Sequence, residues 1–220
     1  MSRPIRDIKY HPAADLTKSS IILNAAFINI GQNIKKAIQT SNLATSSTEL
    51  SKTTHSCQVK LRNSLRRLRT ESNVTKTQKK LIGNLKILLR LCATLSRLSS
   101  STSKMLLVIN GLASSLEKLP QKPRPSPTFS KLADSLNDLL EIQETAYQMS
   151  FHVQKINTKL RTVVVRLSKT HRPLIYPLNK LLPLLGTYLD EMLKFLKLMK
   201  PSMELKRILI NANKLKSISA

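Results

Sequence analysis

The chain has no tryptophan, four glycines in 220 residues, two cysteines, and twelve Asp and Glu against thirty-seven Lys and Arg. Each scarcity removes a class of protein. So few glycines leave little material for the tight turns of strand-rich folds, or for loops that cradle phosphate on backbone amides. The nucleotide-binding and nucleophile-elbow patterns G-x-G-x-x-G, the P-loop and G-x-S-x-G are missing. No uncharged apolar run of about 18 residues occurs, so no membrane-spanning helix and no integral membrane insertion is expected. The segment Met1–Asp7 lacks the apolar core of a signal peptide, and its early acid is unlike a transit peptide. A nuclear location is expected, with a cytoplasmic one as the alternative.

Cys57 and Cys92 fall at or near apolar positions of predicted helices and are expected as buried free thiols. The histidines, His11, His55, His152 and His171, are not spaced three or four apart, and no cysteine or acid stands at metal-ligand spacing from them. Asp134, Asp138, Glu141 and Glu144 do follow at three- and four-residue steps. A di-metal bundle would need matching Glu and His on other helices, which are nearly acid-free, so these acids read as charge favoured near a helix N-terminus. No catalytic residue, metal site or cofactor is expected, and the chain reads as a non-enzyme.

What remains is positive charge and leucine. The net charge is +25 and the pI about 10.5, which attracts polyanions: nucleic acid, anionic lipid surfaces or acidic protein segments. Residues 46–119 hold fourteen Lys and Arg against three Glu. The densest cluster is Lys60, Arg62, Arg66, Arg67 and Arg69, followed by Lys76, Lys79, Lys86, Arg90, Arg97 and Lys104. Leu81, Leu88, Leu91, Leu95, Leu98, Thr102, Met105, Ile109, Leu112, Leu116 and Leu119 form one seam of a helix over 76–119, with the cations on its back. No aromatic residue interleaves with these cations, which argues against stacking on single-stranded bases.

Along the chain, residues 1–14 read as a flexible tail with Pro4 and Pro12 opposing helix, and a first helix runs from about residue 15 to 41. Ser46 with Glu49 marks a second helix start, and Thr75 with Gln78 a third, both by the capping-box pattern. Five hydroxyl residues, Ser99–Ser103, weaken the third helix, yet the seam keeps phase across them, predicting one bent helix. Residues 120–128, with Pro120, Pro123, Pro125 and Pro127, form a Pro-rich linker. A second long helix over 129–172 carries its acids first and Lys155, Lys159, Arg161 and Arg166 later. Over 173–220, Pro173, Pro177, Pro183 and Pro201 divide the chain into short helices, of which 178–199 is amphipathic.

The expected fold is all-α: an elongated antiparallel helical bundle or coiled coil of five to six helices, with 15–119 as a basic half and 129–172 packing back on 76–119. The expected function is a basic scaffold or interaction subunit, chromatin- or DNA-associated. It would hold duplex phosphate through Lys60, Arg62, Arg66, Arg67, Arg69, Lys76, Lys79, Lys86, Arg90, Arg97 and Lys104 without reading bases, while apolar seams dock protein partners or a second copy. The alternatives are a cytoskeletal or assembly subunit whose basic face binds acidic protein tails, and a peripheral binder of anionic membranes through residues 178–199. The missing tryptophan speaks against the last.

Overall fold

The computed structural model arranges its described residues mainly in five successive helices: α1 (Pro12–Thr40), α2 (Leu43–Thr70), α3 (Lys76–Glu117), α4 (Thr128–Ser168) and α5 (Tyr176–Leu198). The structure describes residues 12–70, 75–119, 128–168, 171, 175–199, 207, 208 and 210, and the described residues contain no strand. The expected tail through residue 11, the Pro-rich linker and most of the last helix lie outside them. The all-α class is as the sequence implied.

α3 opens where its capping signal stands. The Thr75 side chain accepts the Gln78 amide at 3.3 Å and the Gln78 side chain accepts the Thr75 amide at 2.7 Å. The helix then runs unbroken for 42 residues, about 63 Å at 1.5 Å per residue. The hydroxyl stretch inside it is no interruption, because its buried members form a polar layer. Ser47 Oγ of α2 donates to the Ser99 carbonyl at 2.9 Å, and the Ser99 hydroxyl donates back to the Ser47 carbonyl. Thr102 donates to the Leu98 carbonyl at 3.0 Å and also meets the hydroxyl of Tyr188 from α5, with both side chains fully buried. Small hydroxyl side chains let helices approach closely and still give each polar atom a partner.

The apolar stripe of α3 is wider than a single seam. Leu81, Leu88, Leu95, Ile109 and Leu116 are buried as expected, but so are Leu85, Cys92, Ser99, Leu106 and Ala113, while Leu91, Leu98, Leu112 and Leu119 are only half-buried. The cause is that α3 packs against α1, α2 and α4 together. A helix held by several neighbours buries a broader arc than a two-helix seam requires. α5 in turn packs on α2, α4 and α1, so α2, α3, α4 and α5 form a ring around one core.

Specific pairs fix the directions. Cys57 Sγ donates to Pro177 O at 3.1 Å, while the Asn42 amide donates to Glu191 Oε2 at 2.8 Å. α5 therefore runs antiparallel to α2. Leu167 and Arg166 of α4 stand beside Lys80 and Leu81 of α3, so these two helices are antiparallel as well. α1 lies against the C-terminal part of α3, where Lys35 pairs with Glu117.

Three boundaries moved, each for a local reason. α1 starts at Pro12, earlier than expected, because proline lacks only an amide that the first turn leaves without an intrahelical acceptor. α2 starts at Leu43 rather than after Ser46: the Asn42 carbonyl accepts the Ser46 amide at 2.9 Å and Leu43 is fully buried, anchoring the first turn. Pro183 does not break α5. It lies on the exposed side, and the carbonyl its ring leaves free belongs to Asn179, also exposed to water.

At Gly31, α1 comes close against the backbone of α3. A Cβ there would sit 2.8 Å from the Ala113 carbonyl oxygen and 3.1 Å from Leu116 Cβ. Gly31→Ala is expected to destabilise by about 1–3 kcal/mol through overpacking against backbone. Gly83→Ala and Gly111→Ala meet nothing within 4 Å and should stabilise by about 0.5–1 kcal/mol through helix propensity. Urea unfolding of the three variants checks this, and stabilisation by Gly31→Ala would contradict the α1–α3 packing. A second outcome concerns alkaline pH. Burial pushes the Tyr188 phenol up to about 12, against a hydrogen bond with Thr102 that lowers it. The folded chain thus holds this proton more tightly than the unfolded chain, so the contribution to stability is complete below about pH 10 and is lost as pH rises through about 12. Tyr188→Phe should flatten that alkaline fall in a pH series of unfolding curves.

Candidate nucleic-acid interface

On α3, Lys79, Lys86, Arg90, Arg97 and Lys104 recur at steps of seven, four, seven and seven residues. At 3.6 residues per turn this keeps them within about 40° of one line along the helix, opposite the Leu88 and Leu95 side. All five are exposed. Because α3 sits between α2 and α4 in the ring, this line is the midline of one whole side of the bundle. From Lys79 to Lys104 it covers about 38 Å.

The α2 cluster does not act as one patch. Arg62, Arg66 and Arg69 follow at steps of four and three on the flank of α2 turned to α3. That flank is marked by Ser47, which meets Ser99, and by the half-buried Ser51, Gln58 and Leu65, which recur every seven residues beside the α3 contact. Lys60 and Arg67 occupy the other flank, where they line a hollow with Tyr176 and Pro177 at the start of α5. Lys76 also leaves the midline and faces α4, beside Lys80, Arg166 and His171. The expected set of eleven is thus all exposed, and eight lie together on the α2 and α3 rows, Arg62, Arg66, Arg69, Lys79, Lys86, Arg90, Arg97 and Lys104, with Lys76 at their α4 edge.

α4 supplies residues that the linear reading did not join to this set. Arg166 stands beside α3, and Lys159, seven residues earlier, shares its helical position. The signal was present in the sequence as the basic second half of α4. Only the antiparallel pairing of α3 and α4 lays that half along the basic first half of α3.

The same pairing segregates charge along the bundle. Described residues 50–70 of α2, 76–99 of α3, 145–168 of α4 and 176–189 of α5 carry seventeen Lys or Arg and no Asp or Glu. Glu49, Glu117, Asp134, Asp138, Glu141, Glu144, Asp190 and Glu191 all lie outside those segments. The ion pairs among the described residues, Lys35 with Glu117 and Lys194 with Glu191 at 3.8 Å, are outside them too. Cations without acidic neighbours keep a positive potential that attracts counter-anions.

The α2 and α3 rows contain no aromatic residue. Two exposed aromatics do meet lysines elsewhere: Lys155 Nζ lies 4.3 Å from the Phe151 ring centroid, and Lys180 Nζ lies 5.6 Å from that of Tyr176. No aromatic stands within the α2 and α3 rows, as expected, while the α4 and α5 surfaces carry Phe151 and Tyr176, the latter lining the hollow with Lys60 and Arg67.

Asp134, Asp138, Glu141 and Glu144 are exposed, and no group of three metal-ligating side chains assembles among the described residues. His152 is exposed, with Nδ1 3.0 Å from the Gln148 carbonyl. Both cysteines are free and buried. Burial pushes the Cys92 thiol up to about 12, with Cys57 nearby adding to the rise. Burial also raises Cys57, against an opposing pull from Lys60. No described helix is long and apolar enough to cross a membrane. Compared with known protein families, curated proteins and solved structures, the chain matches none.

Thiols held neutral and out of solvent are poor nucleophiles. Cys57 and Cys92 should resist alkylation at neutral pH in the folded chain and both react once urea unfolds it. Mass spectrometry reads the two states, and fast labelling of the folded chain would contradict the burial.

Proposed function

We propose that the chain is a non-enzymatic, DNA- or chromatin-associated scaffold subunit that holds duplex phosphate on the α2–α3–α4 side. The observation that carries this reading is the half of the bundle whose described residues hold no acid, with its straight central row of exposed cations. A duplex of about 38 Å presents about 22 phosphates at one per 1.7 Å, so the row has anionic partners along its whole length. Lys and Arg on a helix that contact phosphate carry no base information, so binding is independent of sequence. The absence of aromatics on the central rows favours duplex over single strands. A nuclear location accords with such a partner. Leu107 and Val108, exposed on α3 just beyond Lys104, offer an apolar surface beside the row for a protein partner.

If six of these cations each neutralise a phosphate, the logarithm of the binding constant should fall with the logarithm of salt at a slope of about −5. Reversing Arg66, Lys86, Arg90 and Arg97 to Glu should abolish retention of long duplex DNA. Reversing Lys60, Arg67, Lys180 and Lys194, an equal change in net charge off this side, should leave most of it. Equal binding by the first variant and the parent sinks the reading. Equal loss in both variants would assign binding to overall charge rather than to this face.

A further inference from the structure

The hollow between the start of α3 and the end of α4 has a chemistry distinct from the open row. Its volume is about 670 Å³, within the range of small-ligand sites. Lys76 and Lys80 enter from α3 and Arg166 from α4, while Thr77, Asn84 and His171 add hydrogen-bonding groups. Leu81 and Leu167 form an apolar floor, and no acid among the described residues lines it. Three cations on two helices converge here with no described residue of opposite sign beside them. His171 Nδ1 is buried and has no hydrogen-bond partner among the described residues. The N-terminal end of α3, whose peptide dipoles favour negative charge, opens on the same side.

We propose that this hollow is a binding site for a small anion carrying two or more phosphate groups. The planar Arg166 guanidinium takes two oxygens of one phosphate, and Lys76 and Lys80 take the charge of the next. Asn84 and Thr77 bond the remaining oxygens or hydroxyls of the ligand. A lone orthophosphate engages only part of this set, so affinity rises with the number of linked phosphates. The hollow shares Arg166 with the proposed duplex face, but Lys86, Arg90 and Arg97 do not line it, so substitutions there act on the duplex face alone.

Titration calorimetry with orthophosphate, pyrophosphate and tripolyphosphate at about 150 mM salt, where exposed charges more than about 8 Å apart are screened, tests this. Tripolyphosphate should bind one per chain and most tightly. Lys80→Ala with Arg166→Ala should weaken it at least tenfold, whereas Lys86→Ala with Arg97→Ala, an equal loss of charge, should change it less than threefold. Asn84→Leu, which leaves the charge intact, should weaken it as well and guards against a misfolded double variant. Equal weakening by the two double variants, or several equivalents bound without saturation, would overturn the site. Phosphatidylcholine vesicles with a bisphosphorylated inositol lipid, against charge-matched phosphatidylserine vesicles, separate the sources. A preference lost in the Lys80/Arg166 variant assigns a lipid headgroup, and no preference alongside tight tripolyphosphate binding assigns a soluble polyphosphate.

Discussion

Burial of α3 among three neighbours is the constraint from which the other features follow. Held by α1, α2 and α4 together, α3 puts a broad arc of its surface into the core. The opposite side remains in water, and the file of Lys79, Lys86, Arg90, Arg97 and Lys104 runs along its middle. The buried leucines of α3 are thereby used within the chain, and in the proposed function the cationic file is the part that meets phosphate.

Charge segregation follows from the antiparallel topology. α4 is acidic in its first half and basic in its second, and α3 is basic at its start. Had the two helices run parallel, acids would stand beside cations and much of the potential would cancel. Antiparallel pairing puts like with like, at a cost in mutual repulsion that falls on exposed, screened side chains. Such a cost is small per pair at the surface and is offset by burial of residues such as Leu88, Leu160 and Leu185 in the shared core.

The helices were legible because their signals are local. The Thr75–Gln78 capping box, the leucine spacing and the glycine scarcity each act over a few residues. Pro183 misled because its meaning is tertiary, set by its place on the exposed side of α5, while Ser99–Ser103, across which the sequence predicts one helix, become part of a buried hydroxyl layer where Ser47 and Tyr188 meet that stretch. The candidate face was half legible. Its α3 row has a period visible in the sequence, but the separation of Lys60 and Arg67 from Arg62, Arg66 and Arg69 depends on where α5 begins. The arrival of Lys159 and Arg166 depends on the direction of α4.

Lysine acetylation footprinting with and without duplex DNA tests the central claim most directly. Lys79, Lys86, Lys104 and Lys159 should be protected by DNA, while Lys36, Lys180 and Lys194 keep their reactivity. Uniform protection of all of them, or protection confined to the second group, would contradict a single binding side built on α3.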